Sequence, residues 1–316
     1  MTRRYWLLSA VAIALLIGAA RRFDWHGAVL IARAASSAPL ATAAILNLLS
    51  LQLRGVRWWI FLRAAGVRSL TLALRGTIVG AGVNNVLLAN SGDAARVLLV
   101  ARSSGASRTA VTATLALERL LDPICLALLV FCATFVIPIP AAYAAMRSLG
   151  GLVLLVVAAL ALVVLSRTRR VSDVGDRTAG WRGQLRELRV HICALATTSR
   201  LGAALAISLG EWSLQVATFA LVARATGLGL PLGGTLAALI VTNAGLLIHA
   251  TPGNLGLFQF AYEIAAHHFG VAANAAIATA LLLQLVQIVP VTLAALVLAP
   301  GLFGPRRRTA LETAMA

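Results

Sequence analysis

The chain has 316 residues, 60% of them hydrophobic and 12% charged, with a mean hydropathy of +0.91 and a formal charge of +17. So little polar surface cannot cover a water-soluble body of this size, so the expected class is a polytopic membrane protein. All 27 basic residues are arginine, which excludes the lysine chemistries of P-loops, Schiff bases and pyridoxal enzymes. Set between apolar stretches, these arginines read as topology signals and headgroup contacts, not as a nucleic-acid surface.

A bilayer core of about 30 Å takes roughly 20 apolar helical residues, and that length divides the chain. Predicted spans are Tyr5 to Ala20, Ala38 to Leu53, Thr109 to Ile137, Ala142 to Leu165, Leu201 to Val222 and Ala272 to Ala299. The first of these follows Arg3-Arg4 and is expected to be a transmembrane helix rather than a cleaved signal, given the spans downstream. Two further apolar stretches, Thr77 to Ala89 and Gly234 to His249, are short, carry Gly and Asn, and end in helix breakers. They are expected to be re-entrant. Arginine clusters at 54–108, 167–200 and 306–308 then share the cytoplasmic side with both termini, although Arg21, Arg22 and Arg33 fall outside.

The division of the chain is therefore a first membrane half over 1–166 with a re-entrant element near 77–93, a polar linker over 167–200, a second half over 201–308 with a re-entrant element near 234–256, and a tail over 309–316. In the linker, Trp181, Leu185, Leu188, Ile192 and Leu195 recur at helical spacing while Arg182, Arg186 and Arg189 face elsewhere. That is the pattern of an amphipathic surface helix, and equally of a linker packed beneath the bundle. Cys125, Cys132 and Cys193 form no CxxC pair and read as packing residues.

The two halves repeat. Gly76-Thr77, Asn84, Gly92 and Gly105 recur as Gly234-Thr235, Asn243, Gly253 and Gly270, at offsets between 158 and 165. Under the arginine assignment the two broken elements enter from opposite sides, which makes the repeat inverted, a transporter feature in which interrupted helices place free backbone groups near the midplane. The expected fold is an all-α transmembrane bundle with an inverted repeat and two re-entrant broken helices; close helix packing through glycine is the alternative account of the same residues.

Ionisable groups at membrane depth cost about 2.5 to 3.5 kcal/mol each, so they need partners or a wet cavity. Glu118 lies ten residues from Arg108 and Glu211 eleven from Arg200, about 15 and 16 Å at 1.5 Å per residue. Glu118 and Asp122 share a helix face, and an Arg119–Asp122 pair would leave Glu118 available. Either these four line a polar cavity that contacts a headgroup, or they are interhelical salt bridges. Asp93 suits a helix cap and Arg96, one turn on, suits a phosphate; Asn84 and Asn85 read as polar lining. In the second half Asn243, Gly253, Gly256, Gln259 and Glu263 are the corresponding candidates, with Glu263 spaced to pair with His267. No HExxH or other ligand spacing is present, so no metal and no cofactor are implied.

Four ordered motifs, Asn90-Ser91-Gly92-Asp93-Ala94-Ala95-Arg96, Gly105 to Ser107, Glu118-Arg119-Leu120-Leu121-Asp122 and Thr251 to Gln259, resemble those of the flippase-like family, the transmembrane region of bacterial lysylphosphatidylglycerol synthetase. The resemblance implies an integral protein of the bacterial cytoplasmic membrane that moves a polar lipid between leaflets. The Gly92-Asp93 turn with Arg96, the Glu118-Arg119-Asp122 cluster and the Pro252-Gly253-Gly256 break would then line the route. The chain departs from the family's pattern in having Asn90-Ser91 where a proline often precedes the first glycine turn, and Gln259 where a glutamate often stands. It ends soon after Arg308, so the resemblance implies no synthetase domain and no enzyme activity. The expected partners are membrane lipids, anionic phospholipid or a lipid-linked headgroup, with a homo-oligomer or an enzyme partner possible; a non-transporting scaffold acting through 167–200 is the competing expectation.

Overall fold

The computed structural model describes residues 25–86, 91–136, 151–152, 191–192, 194–195, 197–245 and 254–299. The expected first span, most of Ala142 to Leu165, the amphipathic linker apart from its end, Gly253 and the tail lie outside these residues. Within them the structure is helical throughout: α1 (Trp25–Ala34), α2 (Ser37–Ala64), α3 (Leu70–Val86), α4 (Ser91–Ser104), α5 (Arg108–Val136), α6 (Thr198–Ala225), α7 (Leu232–Gly245), α8 (Leu257–His267) and α9 (Ala273–Leu298). By length and apolar composition α2, α6 and α9 can each cross a membrane.

From α2 to α5 and from α6 to α9 the same unit is built twice: a long helix, two shorter helices and another long helix. The helix ends match in detail. After α2, Gly66 takes a left-handed φ of 92° while Gly66 N–H donates to Arg63 O and Val67 N–H to Leu62 O. After α6, Gly227 takes φ 72°, with Gly227 N–H donating to Arg224 O and Leu228 N–H to Ala223 O. Both are glycine-terminated ends that satisfy the last carbonyls, where a side chain would be strained. Each unit also carries one proline inside its last helix, Pro123 in α5 and Pro290 in α9.

The two units are inverted. Along the contact of their first helices, Ser36 N–H bonds Ala225 O, Gln215 bonds Asn47 and Ser50, Arg54 bonds Glu211 and Arg57 bonds Ser208. Rising numbers on α2 meet falling numbers on α6, so these equivalent helices run antiparallel, as an inverted repeat requires.

The segments between the short helices, 87–90 and 246–253, lie outside the described residues; the helices before them begin earlier than expected, α3 at Leu70 and α7 at Leu232. At 17 and 14 residues these are about 25 and 21 Å long, and α8, at 11 residues, is only about 16 Å. Close packing holds the first hairpin: a Cβ on Gly92 would stand 1.9 Å from Gly80 O, so only glycine lets α4 meet α3 here. Asn84 Oδ1 accepts from Gly92 N–H at 2.7 Å, satisfying a donor at the start of α4.

The main apolar core joins both units through Phe61, Leu117, Leu121, Phe219, Leu239, Phe258, Tyr262 and Leu283. A second cluster, with Trp58, Leu62, Val79 and Val100, lies under the first hairpin. Cys125 is buried in the main core, as a packing residue should be, whereas Cys132 is exposed.

Candidate functional site

The largest departure from the expected spans shapes the site. The apolar run was expected to end at Leu53, but α2 continues to Ala64, so Arg54 and Arg57 stand inside the helix instead of in a cytoplasmic loop. The continued apolar side chains Trp58, Phe61 and Leu62 are the signals in the sequence that carry the helix on through Gly55 to its end before Gly66. Arg57 is fully buried.

Around Arg57 an ionic network joins α2, α4, α5 and α6. Its Nη2 lies 2.7 Å from Asp122 Oδ1 and 3.4 Å from Glu118 Oε1, and its Nη1 lies 3.4 Å from Glu211 Oε2 while donating to Ser208 Oγ at 2.7 Å. Glu118, fully buried, receives both terminal nitrogens of Arg96, at 3.2 and 2.9 Å. Arg96 also donates to Thr77 Oγ1 and stacks over Trp58 at 4.0 Å, a cation–π contact that keeps the guanidinium oriented. Trp58 is itself held by a 2.9 Å bond from its Nε1 to Thr114 Oγ1. Arg54 closes on Glu211 at 2.7 Å.

Arg119 grips Asp93 with its Nη2 at 2.6 Å and its Nε at 3.0 Å, and reaches Asp122 only at 3.6 Å. This reverses the expected local pairing: Arg119 is taken up by Asp93 across 26 residues, and Glu118, expected to be left available, is the carboxylate most fully enclosed. Asp93 sits in the first turn of α4, but its carboxylate engages Arg119. The pairs grade from the rim inward, since the Arg119 side chain is 43% exposed, Arg54 31%, and Arg57 and Glu118 0%.

Four arginines and four carboxylates make up this network, Arg54, Arg57, Arg96 and Arg119 with Asp93, Glu118, Asp122 and Glu211. It is charge-balanced but not saturated. Arg57 Nε and Nη2, Arg96 Nε, Asp122 Oδ1 and Glu211 Oε2 are buried without a hydrogen-bond partner among the described residues. Arg57 Nη2 and Asp122 Oδ1 touch without the alignment of a hydrogen bond.

The other expected site residues lie elsewhere. Asn84 is used at the start of α4, and Asn85 ties α3 to α9 through Thr292 Oγ1 at 3.2 Å. Asn243 Nδ2 donates to Leu239 O within its own helix. Gly256, at φ 86°, begins α8, and its N–H donates to Gln259 Oε1 at 2.6 Å. Gln259 Nε2 donates to Gln284 Oε1, joining α8 to α9 with a buried amide pair. Glu263 is half-buried and makes no ion pair with His267. None of Asn243, Gln259 and Glu263 bonds to the charged network.

Residues 6–295 match the family model described as the lysylphosphatidylglycerol synthase TM region. The chain belongs to that family. The match runs through both inverted units and contains the whole charged network, so the lysylphosphatidylglycerol synthase transmembrane region is the setting in which this site is to be understood. Membership places the chain in a membrane and relates it to proteins of lipid modification or lipid movement. A comparison with curated proteins gives no match.

Proposed function

We propose that the chain is a lipid flippase or transporter of the bacterial cytoplasmic membrane, moving a phospholipid or a lipid-linked substrate between leaflets without catalysing a covalent step. The observation that carries this reading is the buried, incompletely satisfied ionic network that joins the first unit to α6 of the second and grades outward to the more exposed Arg119 and Arg54. Charged groups at membrane depth are costly and concentrate on transport routes, and a buried donor without a partner leaves about 1–3 kcal/mol to be recovered by a ligand or water that reaches it.

In this mechanism the acyl chains stay in the bilayer while the headgroup enters at the rim pair Arg119–Asp93. Its phosphate takes up the Nε donors of Arg57 and Arg96 and competes with the carboxylates for their terminal nitrogens. Arg57 is the pivot, because three carboxylates share it and it can relax toward any of them as the headgroup passes. The inverted units supply two equivalent arrangements, open to one leaflet or the other, as alternating access requires.

The test is leaflet exchange of acyl-labelled phospholipids in proteoliposomes holding the full chain. The wild type should accelerate exchange above protein-free vesicles, and Arg96→Ala and Glu118→Gln, verified as folded, should bring it back to near that baseline. A folded wild type that leaves the exchange of every phospholipid unchanged overturns the proposal and moves the scaffold reading, with the 167–200 linker as its docking segment, into first place.

A further inference from the structure

We infer that the headgroup this network accepts is zwitterionic, carrying a phosphate and an amine with no net charge, an inference that rests on the transport reading above. Two observations carry it. First, the network holds four guanidiniums against four carboxylates, so it presents no surplus of either sign. A headgroup with net charge entering this site leaves an uncompensated charge at membrane depth, whereas one with both signs keeps the balance. Second, the unsatisfied atoms are of both kinds. Arg57 Nε and Arg96 Nε are donors without a hydrogen bond, while Asp122 Oδ1 and Glu211 Oε2 are acceptors that take no hydrogen bond and are held by Arg57 only as ion pairs.

These two sets converge on one guanidinium. Arg57 Nη2 is 2.7 Å from Asp122 Oδ1, and Arg57 Nη1 is 3.4 Å from Glu211 Oε2. A phosphate on the guanidinium nitrogens therefore brings an amine on its ester arm within reach of Asp122 or Glu211. A purely anionic headgroup satisfies the donors only and, by drawing Arg57 onto its phosphate, leaves Asp122 and Glu211 short of a cation. A purely cationic one does the reverse. Each fails half of what the site offers, and the zwitterion meets both halves.

The test compares three probes with the same labelled acyl chain: phosphatidylethanolamine (zwitterionic), phosphatidylglycerol (anionic) and an ethylphosphocholine lipid (cationic). With wild-type protein in vesicles of one fixed composition, the zwitterion should exchange about tenfold faster than either charged probe, given the penalty on an unbalanced charge at membrane depth. Variants of the Arg54–Glu211 pair then shift the balance in opposite directions. Glu211→Gln, which leaves a surplus of one positive charge, should raise the ratio of anionic to zwitterionic exchange. Arg54→Gln, its partner at 2.7 Å, should lower that ratio and favour the cationic probe. A merely structural role for the pair lowers all three rates together and moves no ratio. Wild-type exchange of the anionic probe equal to or faster than the zwitterion overturns the inference. If no probe is exchanged, the transport reading falls, and binding of the three lipids to detergent-solubilised protein, read by native mass spectrometry, still decides the headgroup class: equal retention or preference for the anion refutes the zwitterion.

Discussion

The two inverted units use the same scaffold with different chemistry at matching joints. In the first, Arg96 lies over Trp58 at 4.0 Å and pairs with Glu118, tying α4 to α2 and α5. In the second, Tyr262 faces Phe219 at 6.3 Å, and α8 is tied to α9 by the amides of Gln259 and Gln284. On the central helices Arg54 bonds Glu211, while the symmetry-related contact is Gln215 donating to Ser50 at 2.7 Å. The second unit acts as an internal control. It ties α8 to α6 and α9 through aromatic rings and neutral amides, with buried Glu211 on α6 as its contribution to the charged network, so the joint between the short helix and its neighbours has no need of buried charge as such, and the Arg96–Glu118 pair of the first unit calls for a reason other than assembly.

The sharpest way to break this comparison is to remove the pivot. Arg57→Ala leaves Glu118, Asp122 and Glu211 short of a buried counter-charge and is expected to destabilise by about 3–5 kcal/mol, read as a fall in unfolding free energy in micelles. Thr218→Ala, at the matching place on α6, removes a buried hydroxyl that donates to Leu214 O and should cost about 1 kcal/mol. A cost for Arg57→Ala no larger than that of Thr218→Ala means the network does not depend on its pivot.

Next in size is the hairpin. Gly92→Ala drives a Cβ against Gly80 O at 1.9 Å and Asn84, an overpacking expected to cost about 1–3 kcal/mol or more and to reduce the yield of folded protein. Gly245→Ala in α7 meets Ala261 Cβ at an ordinary 3.4 Å and should be tolerated. If both behave alike, the first hairpin is not the more tightly packed one.

The most informative variant is expected to have a small effect on stability. Arg96→Gln with Glu118→Gln gives the first unit an amide joint like that of the second. Removing both partners of a buried ion pair is often neutral, so the unfolding midpoint should stay close to wild type while lipid exchange falls to the vesicle baseline. Exchange that survives this double substitution removes the charges from the mechanism. The smallest effect belongs to the rim: Arg119→Ala breaks a half-exposed pair with Asp93 and should cost within about 1 kcal/mol, measured by the same unfolding assay.

Hydropathy and glycine placement made much of the fold legible in the sequence. The long helices α5, α6 and α9 fall within about three residues of the stretches expected from apolar length alone, and recurring glycine and asparagine marked the repeat. By apolar length the second helix reads short, because Arg54 and Arg57 look like a membrane boundary. An arginine that caps a span and one that enters it are the same letter, and only the carboxylates of α5 and α6 make the buried position tenable.

What the sequence by itself determined is the membrane class, the repeat, and the presence of Glu118, Asp122 and Glu211 inside apolar helices, because composition and periodicity are local properties of the chain. Partnership is not local. Within one helix Arg119 can reach Asp122, yet it bonds Asp93, while Glu118 is enclosed by Arg96 and Arg57 and Glu211 by residues more than 150 positions away. A guanidinium takes the best-placed carboxylate in three dimensions, and that choice was made only when α4 and α5 packed beside α2 within the first unit and α2 packed against α6 of the second.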